Sequence, residues 1–235
     1  VDLGGRRIIK KKNKMVDIVV QSAFEDFKKS VIGKFSDGKP PNFVVAGGAC
    51  RDSILGGQFK DIDFFVSREL DLYSFLHNNF KWRSIPSPTN KKKSFLAAPI
   101  GDFIFDMDSY RGKNSGYEHV NLTAMINGWY KESIPVQVMI PGIKYYSADD
   151  FGDRLIETFH FGIDQAYYDG DEITVSEAFQ KDHENNTATL LRVDHPRELI
   201  GRFEKFKRLE AKYPGISFDL DYELVKKKKK EEIPF

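Results

Sequence analysis

Two adjacent glycines stop an apolar run at Gly47-Gly48, and thirteen residues beyond Gly48 two aspartates, Asp61 and Asp63, stand two apart on a second apolar run. Asn42-Phe43-Val44-Val45-Ala46 reads as a short buried strand, and Arg51 to Leu55 as the start of a helix cut short by Gly56-Gly57. Glycines without Cβ atoms let a ligand approach the backbone closely, and the free N–H groups of a helix start favour an anion. Asp61-Ile62-Asp63-Phe64-Phe65-Val66 alternates as a strand does, so both carboxylates point to one face while Ile62 and Phe64 point to the other. Two acids crowded on one face repel unless a cation compensates them. They are also the hard oxygen ligands that Mg²⁺ prefers when it holds substrate phosphates at the same time. The plainer alternative is an ordinary turn beside an exposed acidic strand face, with Arg51 as a surface ion-pair partner.

The composition bounds what surrounds this unit. The 235 residues carry 36 Lys+Arg against 35 Asp+Glu, a formal charge of +1, which excludes a globally basic nucleic-acid coat. Aromatic content of 14%, with 20 phenylalanines, excludes a disordered chain. The single cysteine, Cys50, excludes an intrachain disulfide and a cysteine-based zinc site, and none of the partners is expected to be disulfide-linked. No apolar run approaches the roughly 20 residues a membrane span needs, so the expectation is a soluble cytoplasmic protein without a membrane partner.

Along the chain, residues 15–35 carry apolar side chains at helical spacing, ended by the breaker cluster Asp37-Gly38-Lys39-Pro40-Pro41. Leu70 to Phe80 repeats that spacing, and Ser84 to Ser94 reads as a loop. Asp102 to Met107 and Ile134 to Ile140 read as strands, whereas Tyr117 to Met125 is ambiguous. From about Ala148 a short helix is followed by a hairpin around Asp169-Gly170-Asp171, a strand at Thr187–Val193, and a helix from Asp194-His195-Pro196 to about Tyr213. The five histidines show no metal-ligand spacing. The expected class is α+β, a small mixed sheet with helices mainly on one side. The nucleus is expected over residues 15–147, a strand-plus-helix extension over 148–225, and basic tails at 1–14 and 226–235.

The combination Gly-Gly-x-x-Arg-Asp followed by Asp-x-Asp, over residues 43–66, resembles the head domain of class II tRNA nucleotidyltransferases and bacterial poly(A) polymerases, within the DNA polymerase β-like nucleotidyltransferase superfamily. Looser similarity in element order extends to about residue 145, and residues 150–215 resemble small nucleotidyltransferase-like proteins of phages. The resemblance implies that Gly47 and Gly48 cradle a triphosphate, and that Asp61 and Asp63 bind two Mg²⁺ ions, with Mn²⁺ as a substitute. Arg51 would face the triphosphate or brace the site through Asp52. The family's third carboxylate, on a later strand, falls at Gln137, which cannot take a proton. Asp106 or Asp108 is the candidate substitute.

The implied activity is transfer of a nucleoside monophosphate from an NTP to an acceptor hydroxyl, first of all an RNA 3′ end, tRNA included. The alternatives are transfer to a protein or small molecule, and a catalytically degenerate nucleotide-binding or structural module. If viral, the protein would act in the host cytoplasm. Within the last long helix Arg197, Arg202, Lys205, Lys207, Arg208 and Lys212 are interspersed with Leu199, Phe203, Phe206 and Leu209. An apolar face docked inward and a basic face turned outward is the expectation, the basic face serving solvation or forming a wall toward RNA or triphosphate.

Overall fold

The computed structural model describes residues 8–10, 16–34, 41–67, 80–86, 94–111, 122–131, 133–141, 150–193 and 198–220. The helix expected over 70–80 and the helix start at Asp194 lie almost wholly outside them. The first helix, α1 (Ile18–Ser30), begins where Asp17 accepts a hydrogen bond from the Val19 N–H at 2.8 Å. Its Val20, Ala23, Phe24 and Phe27 fall on one buried stripe. Strand β2 (Phe43–Ala46) leads through Gly47 into α2 (Gly48–Leu55), and the chain returns along β3 (Ile62–Val66), antiparallel to β2.

The strands β4 (Arg83–Pro86), β5 (Ser94–Ile100), β6 (Phe103–Arg111), β7 (Leu122–Tyr130) and β8 (Ile134–Pro141) form an antiparallel meander. The loop expected from Ser84 therefore begins as a strand, and the ambiguous segment resolves into β7 where it is described. The meander joins the nucleus through β8, which pairs with β3 in parallel.

After helix α3 (Phe151–Glu157) and a 3₁₀ turn at Gly162–Asp164, the hairpin β9 (Ala166–Tyr168) and β10 (Ile173–Ser176) pairs with the free edge of β2. Strand β1 (Ile8–Lys10), in the segment expected to be a tail, closes that side by pairing with β10. The result is one mixed ten-stranded sheet in the order β1-β10-β9-β2-β3-β8-β7-β6-β5-β4. It is larger than expected because the extension adds strands to the nucleus sheet instead of standing apart from it.

Helix α4 (Glu177–Asn185) has no counterpart in the sequence reading. Ser176 caps it through Phe179 N–H, but only Phe179 and Asp182 are buried, too sparse a pattern for periodicity to detect. Strands β11 (Thr187–Leu190) and β12 (Ser217–Leu220) pair in parallel around helix α5 (Glu198–Lys212).

Two cores sandwich the sheet. Below it, Phe27 stacks on Phe64 at 4.3 Å and Phe24 on Phe43 at 4.5 Å, with Phe103 edge-on. Burying each such ring contributes about 1.5–3 kcal/mol, which explains the heavy use of phenylalanine. Above it, Phe151, Leu155 and Ile156 of α3 pack on Val44, Ala46, Phe65 and Met139. On β3, Ile62 and Phe64 belong to the lower core and Phe65 to the upper one. The alternation places Asp63 on the α3 side, at the end of the strand that α3 does not cover.

Candidate active site

The turn between β2 and α2 is built for glycine. Gly47 has φ +77° and ψ −126°, a backbone that side chains strain, and its N–H donates to the Ala166 carbonyl at 2.9 Å. Gly48 opens the helix, and a Cβ there would meet only Arg51 at 3.7 Å. The N–H groups of the first turn have no carbonyl behind them to accept their hydrogen bonds, so they and the helix dipole favour an anion.

Asp61 precedes β3 and Asp63 lies on it. Asp63 Oδ1 is enclosed and has no hydrogen-bond partner among the described residues. Burial, and then the neighbouring Asp61, push the Asp63 carboxyl up to about 8, with Asp164 adding to this and Lys205 and Arg51 opposing it. Burial followed by Asp52 raises Asp61 as well, against Lys60, Arg51 and Lys212. A carboxylate pair, one member half-exposed at the cleft and the other with an enclosed, orphaned oxygen, is the donor chemistry of a hard divalent cation. Among the described residues no group of three or more His, Cys, Asp or Glu side chains is placed to hold a metal ion.

Cross-strand register explains why. Asp63 pairs with Gln137, Gln137 with Asn127, and Asn127 with Asp106, one row across β3, β8, β7 and β6. Gln137 Nε2 donates to Asn127 Oδ1 at 3.0 Å. Gln137 is thus the immediate neighbour of Asp63, while Asp106 is three strand spacings away, roughly 14 Å. That distance separates Asp106 from any ion shared with Asp63. Asp108 lies on β6, but its side chain falls outside the described residues.

Arg51 and Asp52 are buried, 8% and 2% exposed, and turn toward the protein. Arg51 Nε donates to Asp52 Oδ1 at 2.7 Å, and its Nη1 pairs with Asp164 Oδ1. Asp52 also accepts from Tyr213 Oη at 2.6 Å and from Lys212 Nζ. Arg51 thus bonds Asp52 and Asp164 while it also lines the cleft.

Asp164 and Tyr213 have no counterpart among the residues the sequence marks for the site, whereas Lys205 belongs to the basic row expected to wall it. Asp164 sits in an apolar hairpin entry, with no motif around it to suggest its partners. Burial alone would raise its carboxyl, but Lys205 and Arg51 hold it down at about 2. Helix α5 also differs from the expectation of basic side chains turned outward. Arg202, Lys205, Leu209 and Lys212 lie on its inner side, whereas Ile200 and Phe203 are 72% and 47% exposed. Arg202 donates to His160 Nε2 at 2.8 Å, which leaves the imidazole proton on Nδ1. Buried acids on α2 and the 3₁₀ turn have drawn the lysines in. Cys50 is enclosed and its thiol pushed up, first by burial and then by Asp63, so it is no nucleophile.

Between these walls lies an open cleft of about 670 Å³. One side is Gly48, Arg51, Asp52 and the segment from Gly57 to Asp61; the other is Lys205, Arg208, Leu209, Ala211 and Lys212 of α5. Its lining carries the carboxylates of Asp52 and Asp61 and the cations Arg51, Lys60, Lys205, Arg208 and Lys212, while Asp63 lies behind Asp61 and outside the lining.

The architecture, a strand–glycine turn–helix–strand unit set in a large mixed sheet with helices, is a nucleotidyltransferase-like α+β fold. Among solved structures the chain is similar to a CCA-adding enzyme in complex with ATP (TM-score 0.53, 14% identity, 92% of this chain and 43% of that one). It is similar to the same kind of enzyme in a second apo form (TM-score 0.50, 16% identity, 92% and 45%). The chain spans less than half the length of these neighbours. A sequence profile of the Gabija anti-defense 2 (Gad2) family matches residues 11–186. The chain belongs to that family. No curated protein sequence matches it. No described helix is long and apolar enough to cross a membrane.

Proposed function

We propose that this chain is a metal-dependent nucleotidyltransferase that serves the anti-defense role its family name describes. It would move a nucleoside monophosphate from an NTP to an acceptor hydroxyl, with an RNA 3′ end as the first acceptor class, tRNA included, and a protein or small molecule as the second. The observation that carries the reading is the Asp61/Asp63 pair: Asp63 has an enclosed, unpartnered Oδ1, and Asp61 lines a cation-walled cleft together with Gly48. The CCA-adding enzyme solved with ATP supports an NTP as ligand.

Asp61 and Asp63 would hold Mg²⁺, or Mn²⁺ in its place. When bound, the ion neutralises phosphate charge and polarises the phosphoryl group under attack. The protein's own residues supply positioning. The α2 N–H groups and Gly48 admit the phosphates, Arg51 fixes the helix through Asp52 and Asp164, and α5 walls the cleft with cations. Gln137, beside Asp63, can orient an acceptor by hydrogen bonds but takes no proton from it. That residue favours a second reading, a nucleotide-binding module without transfer. Host cytoplasm is the proposed place of action.

Thermal stabilisation by each NTP, with and without Mg²⁺, tests the site. Asp61→Asn combined with Asp63→Asn is expected to abolish Mg²⁺-dependent stabilisation and any incorporation of labelled NTP into RNA or protein. Undiminished stabilisation in the double variant would sink the metal assignment. Stabilisation without labelling of any acceptor in wild type would favour the binding module.

A further inference from the structure

We propose that Lys205 is a phosphate-contacting residue of the nucleotide cleft and that Asp164 is the buried residue that positions it. This deepens the nucleotidyltransferase reading and rests on it. The inference extends the site beyond the family match, which ends at residue 186, into helix α5.

Asp164 is 3% exposed at its side chain, and each of its oxygens meets a cation. Oδ1 pairs with Arg51 of α2, and Oδ2 lies 2.6 Å from Lys205 Nζ. One buried carboxylate thus ties the phosphate-side helix to α5. Lys205 itself is 37% exposed at the side chain and lines the cleft, so its ammonium is anchored on one side and open on the other. The Phe161 ring centroid lies 5.7 Å from its Nζ, a cation–π contact that holds the ammonium from a second direction.

Charge accounting around the cleft points the same way. Asp52 is neutralised by Arg51 and Lys212, and Asp164 by Arg51 and Lys205. Three cations therefore balance two buried acids, and Lys60 and Arg208 add to the lining against Asp61 alone. The surplus is positive and faces the cavity. An ammonium fixed by two buried partners keeps little rotamer freedom to lose when a phosphate arrives. Lys205 lines the same cleft as Gly48, which opens α2, and Asp61. The group it would meet there is a non-reacting phosphate of the triphosphate, the part that leaves as pyrophosphate.

The test is Mg²⁺-ATP and Mg²⁺-AMP affinity by calorimetry on the full chain, with inorganic tripolyphosphate as competitor. Lys205→Met is expected to weaken ATP about tenfold or more while leaving AMP unchanged, because AMP lacks the outer phosphates. Tripolyphosphate should compete in wild type and fail in the variant. Lys205→Arg should recover part of the loss. Asp164→Asn should give a smaller loss of the same ATP-selective kind. The exposed Lys207→Met should change nothing. If Lys205→Met binds ATP like wild type while the Asp61/Asp63 double variant does not, the nucleotide reading stands and this proposal falls. An equal loss of ATP and AMP would also overturn it, since that is the signature of a structural defect. If wild type binds no NTP, both fall together. Should Asp164→Asn fail to fold, Lys205→Met alone decides.

Discussion

Asp63 sits in an environment unfavourable to its own charge. Its carboxyl, raised to about 8 by burial and then by Asp61, keeps its proton in the folded protein well above the pH at which the unfolded chain releases it. Between about pH 4 and pH 8 the folded state therefore binds more protons than the unfolded one, and stability falls as pH rises through that window. Without divalent cation, Asp63→Asn should be the more stable protein at pH 8–9, because the amide carries no charge to be stripped of water there. Urea unfolding of both proteins across pH 5–9 measures this. Equal pH profiles would mean that Asp63 is solvated after all. A residue that weakens the fold where it sits is the pattern expected of a site kept for binding.

Within elements, the glycine turn separates two roles that the sequence shows only as a pair. Gly47 is required by its own backbone, and Gly48 by what must approach it. Gly47→Ala should lose about 1–3 kcal/mol through strain at φ +77°. Gly48→Ala has an ordinary contact to Arg51 and should keep its stability while weakening Mg²⁺-ATP. Chemical denaturation and ATP titration of both variants distinguish the two roles; matched losses of stability would show that both glycines serve the turn. The strand–turn–helix–strand unit was legible because Gly-Gly, Arg-Asp and Asp-x-Asp sit at local spacings, within the reach of period-2 and turn chemistry. Helix α4 was not legible, because its stability comes from Ser176 at one end and from packing, with few apolar residues to repeat.

At the scale of the molecule, Asp52 is the joint between the nucleus and α5. It accepts from Arg51, Lys212 and Tyr213, residues up to 161 positions apart in the chain. Replacing one member of a buried charge network leaves the others unpaired, and such losses run to about 3–5 kcal/mol. Asp52→Ala should therefore destabilise the protein by about that amount, and in addition speed amide exchange in α5 more than in the meander β5–β8. Uniform exchange across both would mean that α5 is held by its apolar contacts instead. The same joint explains why Lys205 and Lys212 of α5 turn inward while Lys207 stays exposed. Two buried carboxylates, Asp52 and Asp164, outweigh the exposure of Ile200 and Phe203 at the outer side.

The sequence by itself determined the nucleus: a buried strand, a glycine turn on a helix, and two carboxylates on one strand face, each dictated by residues a few positions apart. It also determined that Gln137 would be the polar residue on its strand. Only the tertiary structure decided that Gln137 stands next to Asp63 and Asp106 three strands away, because register between strands depends on pairings that no local pattern encodes. It alone decided that the later hairpin joins the same sheet at β2, and that Lys205 reaches the site. An ion pair between residues 41 positions apart leaves no periodic trace; it forms because burying Asp164 without a cation would be too unfavourable, and the nearest cations that the fold supplies are Arg51 and Lys205.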